Sequence, residues 1–552
     1  MMPPTAGSQR ADLDASVRVL RTGQVNVEPG PSTTWSRVTL AGIVALGLVL
    51  RAIPVVGNAW PVGDGGLFYA MVGDLVRNGL ALPAFTSYAH EAIPFAYPPL
   101  ALEFAAALEL ATGVARSDLF RWLPLAFSVL CIPAVYLVAL EVLGDRRRAQ
   151  FATVAYATFP YAWEWLTMGS GVTRSAGMFF ALLATWQGLR LLSSRSRRSA
   201  LSTGVFAGLA VLSHPEAAVF VAIALGARLL ASWSWRGLRR LALAAIVAAV
   251  VAAPWALVVV QRHGIAPFLA AGGGVGRDPV ASIVVYVFGF LVVSPLPIVP
   301  VLDALGQIRD VLARRPYLVL WRLALCLLDL RFALVSAVVP LSMLAADGLF
   351  GVVVPAAQRF ASSWRNGRAS RLAAPGIVGV VSAGLVASGL LAPSVFLAPH
   401  VALSTADRAA MHWVRATQPA DRRFLVLATD TWGSDDLSEW FPALSAHATL
   451  DTSQGLEWGP PAVRDAETTS EAQLRACQPA DVVCLGRWIA AHSGGDAGVY
   501  VPADGSAFVG TSDPSARVRA ALLSSPSFRL IYDGPGADVF VPAPGTSVVG
   551  SP

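Results

Sequence analysis

"PVGDGGLFYAMVGDLVRNG", Pro61 to Gly79, follows directly on an apolar run and sets two carboxylates, Asp64 and Asp74, beyond it. The run itself, Val38 to Val56, has roughly the 20 residues that a bilayer requires. An amphipathic helix, Leu67 to Asn78, then begins, so Asp64 stands among glycines at the exit of a membrane span. Two readings of Asp64 are open. Aspartate is a favoured N-cap for a helix starting near Leu67. A carboxylate at a membrane boundary also loses solvation, which can raise its pKa into the range useful to a general base. The flanking glycines would let a substrate approach the backbone closely. Asp74 is expected on the wet face of the helix.

The rest of the chain supports a membrane setting. Of 552 residues, 55% are hydrophobic and only 14% charged, which places the protein in the polytopic membrane class. The net charge of +6 does not point to nucleic acid, because the arginines cluster in short runs between apolar segments, as cytoplasmic loops do. There is no lysine, which removes lysine nucleophiles and the phosphate-binding G-x-x-x-x-G-K-[ST] loop. Cys131 and Cys326 lie in apolar runs as inert thiols. Cys477 and Cys484 lie in a polar region where a disulfide can form if that region is extracytoplasmic.

Three regions follow. Residues 1–36 read as a disordered cytoplasmic tail, 37–397 as a transmembrane domain and 398–552 as an extracytoplasmic α/β domain. After the first span, further spans are expected at Leu119–Leu143, Phe151–Leu166, Ser175–Leu192, Leu201–Leu212, Ala217–Leu230, Leu241–Val260, Ala281–Leu302, Tyr317–Leu328, Phe332–Val353 and Ala373–Leu397. With about eleven spans and the N-terminus inside, the arginine clusters at 146–148, 195–198, 236–240, 309–315 and 365–371 are all cytoplasmic. The large first loop, 58–118, and everything after Ala398 then face outward. "PLALEFAAALELATG", Pro99 to Gly113, is too short for a span, carries Glu103 and Glu109, and reads as an interfacial helix. In the last region "RRFLVLATD", "AGVYVPAD" and "FRLIYDGPGADVFVP" read as strands, "DDLSEWFPAL" and "SARVRAALLSS" as helices.

An acid just after the first span, an amphipathic helix, "LPAFTSYAHEAIPFAYPPL", an interfacial helix and "RWLP" opening the next span form an ordered unit. This order resembles the glycosyltransferase C superfamily, membrane enzymes that use polyprenyl-phosphate sugars. It looks most like the branch of protein O-mannosyltransferases and the lipid A aminoarabinose transferase. The combination "DGGLFY … PFAYPPL … EWFP … QGLEW" is also similar to prokaryotic membrane proteins labelled by analogy with a pterin synthase. The resemblance implies that Asp64 is the general base. Related enzymes often have an acidic pair here, whereas Asp64 is followed by Gly65. Tyr97 stands where the aminoarabinose branch has a basic residue, and Arg174 where some relatives have an aspartate.

Such a transfer needs a base, cations for the phosphate leaving group and a greasy groove for the polyprenyl tail. The candidates for holding the phosphate or donor are Arg174, His214, Arg51, Arg331 and Tyr97. Charges near a bilayer are rare and usually face the bundle interior, and arginine suits phosphate through its planar fork. Snorkelling to the headgroups is the competing role for Arg51 and Arg331, and helix termination for His214. Tyr69 is a candidate to stack on a sugar, with the interfacial aromatic belt as its competing role, and the pairs Glu439–Trp440 and Glu457–Trp458 each join an acid to a large ring as carbohydrate sites do, or simply hold the last region on the membrane part. No cofactor is expected, and one clear acid is too few for a tightly held divalent metal. The expected partners are a polyprenyl-phosphate-linked sugar, membrane lipids and an acceptor that is protein, lipid or glycan. The setting is a multi-pass protein of the plasma membrane. A transporter or lipid flippase and a non-catalytic sugar-binding relative are the alternatives; the absence of an internal repeat weighs against transport.

Overall fold

Apolar segments in a bilayer have no water to satisfy their backbone groups, so they close their hydrogen bonds internally as helices. The structure, a computed structural model, describes residues 33–544 apart from 91, 194–196, 274–278, 293, 329–332, 364–366, 396–401, 428–434, 478–480, 494–495 and 504–513. The chain forms two compact units, Met1–Gly42 and Ile43–Pro552. In the first, the described part is the opening of helix α1 (Thr33–Gly57); all that follows concerns the second.

In chain order come α2 (Gly66–Arg77), α3 (Leu100–Thr112), α4 (Arg116–Leu143), α5 (Arg146–Thr158), α6 (Glu164–Thr167), α7 (Gly171–Ser193), α8 (Arg197–Ser213), α9 (Pro215–Ala231), α10 (Trp235–His263), α11 (Ile298–Leu312), α12 (Tyr317–Leu328), α13 (Val338–Gly348) and α14 (Gly367–Val395). Among the described residues five helical stretches are long and apolar enough to span: Arg37–Gly57, Arg116–Leu143, Trp235–His263, Leu334–Ser362 and Ala373–Ala392. These are fewer than the eleven spans expected, and several of the others are shorter or interrupted helices among the described residues. The stretch expected over Phe151–Leu166 stops at Thr158, just before Pro160. The one expected over Ala281–Leu302 restarts only after Pro297. Proline removes a helical donor and clashes with the preceding turn, which explains both breaks.

Small residues bring helices together where bulky ones would hold them apart. A Cβ on Gly306 would lie 1.9 Å from the Leu344 carbonyl oxygen, and one on Gly348 2.0 Å from that of Leu302, so α11 and α13 cross nearly backbone to backbone. Near that crossing Arg148 and Arg309 share Asp347, at 2.7 and 3.3 Å. These arginines come from two of the clusters expected on one side of the membrane, and the fold brings them together.

The C-terminal region is a four-stranded sheet of order β1-β2-β4-β3. Its strands are β1 (Phe424–Val426), β2 (Gly498–Pro502), β3 (Phe528–Asp533) and β4 (Ala537–Pro542). β1 and β2 run parallel, while β4 pairs antiparallel with both β2 and β3. Helices α15 (Thr405–Thr417), α16 (Asp436–Ser445), α17 (Pro461–Ala476), α18 (Val482–Ser493) and α19 (Pro514–Ser524) accompany it. Strand residues alternate between two cores, as a period of two requires. Phe424, Val426, Tyr500 and Val539 pack with Trp440 and Phe441, and Leu425, Val499 and Phe540 with Leu485 and Ile489. Cys477 and Cys484 are disulfide-bonded, with Cα atoms 5.6 Å apart.

Asp74 is not on a wet face. It is 6% exposed and accepts hydrogen bonds from Thr86 Oγ1 at 2.7 Å, Ser87 N at 2.9 Å and Ser87 Oγ at 2.6 Å, while pairing with Arg77. It ties the returning first loop to α2.

Candidate active site

Asp64 does not cap α2. The N-cap residue is Gly65, at a φ of 145° that side chains avoid, and no side chain caps this helix. The Asp64 carboxylate turns instead to the loop before α7, where Oδ1 accepts from Ser170 Oγ and Oδ2 meets Arg174 Nη2 at 3.2 Å. The backbones are joined as well: Ser170 N donates to Asp64 O at 3.0 Å, and Gly169 N to Val62 O at 2.9 Å. A Cβ on Gly169 would lie 2.3 Å from Asp64 O, so only glycine lets the two loops lie this close.

Arg174 is only partly spent on this pair. Its guanidinium lies over the Trp165 ring at 5.3 Å, and its buried Nη1 has no hydrogen-bond partner among the described residues. A buried N–H without a partner is costly, and an anion would relieve it.

Beside this pair runs a second chain of polar groups. Tyr97 Oη is 3.1 Å from Thr173 Oγ1 and 2.6 Å from His214 Nδ1, and His214 Nε2 is 3.1 Å from Glu216 Oε2. Burial pushes the Tyr97 phenol above its ordinary value. The Tyr97 ring is held by Phe68, Trp458 and His214. Asp64, Tyr97 and Glu216 all lie within electrostatic reach of Arg174. Three expected residues, Tyr97, Arg174 and His214, thus gather around Asp64, drawn from three separate segments.

The glycines at 65 and 66 admit protein, not open space. A Cβ on Gly66 would lie 2.0 Å from the Glu439 carbonyl oxygen, because α16 is laid directly on the start of α2. Tyr88 Oη donates to that carbonyl at 2.7 Å, and Trp440 Nε1 donates to Gly63 O at 2.8 Å. The Glu439 side chain is 3% exposed. Burial pushes its carboxyl well above the usual range, Asp64 and Asp436 push the same way, and Arg174 and the Gly65 N–H pull back.

Several expected roles change. Trp440 is fully buried between Trp60 and Tyr69 with its N–H satisfied, so no ring face is open to a sugar. Tyr69, half-buried, packs against Trp60, Phe120, Trp440 and the Arg116 guanidinium. Trp458 lies edge-on to Tyr97, and Glu457 accepts from Gly455 N at 2.9 Å, so this pair braces the site from behind. Arg51 neither snorkels nor joins the Asp64 group. It is 0% exposed, donates to Ser128 Oγ at 3.1 Å and Ala157 O at 2.8 Å, and lies against Tyr156 and Trp163. Arg331 lies outside the described residues. Ser170, Thr173 and Glu216 escaped the sequence reading, although each sits within four residues of Arg174 or His214. Among the described residues no three His, Cys, Asp or Glu side chains cluster closely enough to hold a metal ion.

Residues 97–258 match the family described as dolichyl-phosphate-mannose-protein mannosyltransferase. That stretch includes Tyr97, Ser170, Arg174, His214 and Glu216 but not Asp64. No curated protein sequence matches the chain. Among solved structures, ArnT from Cupriavidus metallidurans bound to undecaprenyl phosphate is similar at a TM-score of 0.54 and 14% identity, over 95% of this chain and 100% of that one. The arabinofuranosyltransferase AftD from Mycobacteria is similar at a TM-score of 0.57 and 18% identity, over 94% of this chain and 40% of that one. The oligosaccharyltransferase of Archaeoglobus fulgidus is similar at a TM-score of 0.56 and 13% identity, over 86% and 70%.

Proposed function

We propose that this chain, which has the fold of the glycosyltransferase C superfamily, moves a sugar from a polyprenyl-phosphate donor to an acceptor hydroxyl at the outer face of the membrane. The observation that carries the reading is the Asp64–Arg174 pair, with Arg174 Nη1 left unpartnered beside it. In the proposed step the acceptor oxygen bonds to the anomeric carbon as its proton passes to Asp64. The bond from that carbon to the phosphate oxygen breaks, and the electron pair leaves with the lipid phosphate. Arg174 Nη2 orients the carboxylate while Nη1 takes a phosphate oxygen, so one guanidinium serves base and leaving group together. Tyr97, positioned by Thr173 and His214, stands next to that guanidinium as a further donor.

A divalent metal does not fit this arrangement. One oxygen of Asp64 accepts from Ser170 and the other faces a guanidinium, which occupies the place of a cation. The test of the donor is lipid mass spectrometry on the purified protein. A co-purified polyprenyl-phosphate sugar is the expected finding; its absence, together with turnover of a nucleotide sugar in lipid-free detergent, would sink the reading.

The orientation belongs to the same proposal. It assigns the end where Arg148 and Arg309 meet at Asp347 to the cytoplasm, by the bias of arginine-rich loops, and so sets the Asp64 site and the C-terminal region outside. A reporter fused after Pro552 should be active only in its extracytoplasmic form, and a cytoplasm-specific signal would reverse the topology.

A further inference from the structure

We infer that Glu439 is a positioning residue for Asp64, set by α16 against the Gly65 turn so that a helix of the C-terminal region completes the site begun by the first outer loop. This rests on the reading of Asp64 given above. The contact is built from several directions. The Gly65 N–H reaches the Glu439 carboxyl, Gly66 lets the α16 backbone approach α2, and the hydrogen bonds from Tyr88 and Trp440 fasten the junction on either side. The site thus receives a carboxyl from a residue far along the chain.

The charges around Glu439 fix its working form. It faces Asp64 from the first loop, Asp436 from its own helix, Tyr88 from the returning loop and Arg174 from α7. Burial and the two aspartates oppose ionisation, whereas Arg174 and the Gly65 N–H alone favour it, so the balance is toward the neutral acid. The site then presents one negative charge to an incoming phosphate. Because the carboxyl is shifted upward, it loses its proton only as pH rises. A second carboxylate next to Asp64 would then compete for Arg174 and repel the donor.

Two measurements on the full-length protein in detergent test this. Infrared difference spectra at neutral pH should contain a protonated-carboxyl band that disappears in Glu439→Gln. Binding of undecaprenyl phosphate should weaken at alkaline pH in the wild type and stay level in Glu439→Gln, which keeps the shape and cannot ionise. Tyr88→Phe, which loosens the seat of α16, should weaken that binding. An unchanged infrared band, the same alkaline weakening in both proteins, or full affinity in Tyr88→Phe would each overturn the inference. Failure of the wild type to bind undecaprenyl phosphate at any pH would instead overturn the donor reading, and the infrared band would then judge Glu439 alone.

Discussion

Replacing Asp64 with asparagine should lower turnover by about 10²–10⁴-fold, the usual worth of a positioned base, while the protein still folds. The amide keeps the size of the carboxylate and can still accept from Ser170 Oγ, but it takes no proton at neutral pH. The lost charge on the Arg174 bond should cost about 1–3 kcal/mol of stability, a moderate downward shift in melting temperature. The N-terminus of α2 is not at stake, because Gly65 occupies the cap position. Asp74→Asn is the informative contrast. Asp74 holds Thr86 and Ser87, so its loss should lower stability and loosen the first loop without removing the base. Turnover close to wild type in Asp64→Asn, with a donor and acceptor in hand, would move the base elsewhere.

Arg174→Ala should lower kcat/KM by about 10²–10³-fold, the range seen when one donor to a developing anion is removed. Two losses combine. The leaving phosphate loses its guanidinium, and Asp64 keeps Ser170 alone among its described side-chain partners. Arg174→Lys should recover only part of the loss, since an ammonium cannot present two parallel N–H groups to carboxylate and phosphate together. Affinity for undecaprenyl phosphate should fall in the alanine variant. Unchanged affinity would mean that the unpaired Nη1 does not meet the donor.

Much of this protein was legible one segment at a time. Hydropathy over some twenty residues marks membrane helices such as Arg116–Leu143 and Trp235–His263, because the bilayer acts on each segment alone. Alternation and turn residues placed β2, β3 and β4 and the helices around "SEWFPAL" and "ARVRAALL". The scarcity of arginine and histidine near a bilayer, with the short outer turns that carry them, makes Arg174 and His214 candidates, and the fold sets both beside Tyr97. Local signals failed where neighbours decide. The same scarcity argument singled out Arg51, which the fold spends on Ser128, Ala157 and two aromatic rings. Asp74 has the periodicity of a wet face, yet the returning loop covers it. Asp64 and Gly65 read as a helix cap and an open approach, but glycines at 66 and 169 admit backbone atoms from 439 and 64 to positions that a Cβ would fill. Pairing Asp64 with Arg174, and setting Glu439 against both, joins residues too far apart in sequence for any periodicity to register. Composition and spacing determined which segments meet the membrane and which polar residues are out of place there. Only tertiary packing, through close approaches that those glycines permit, decided which of these residues share one site.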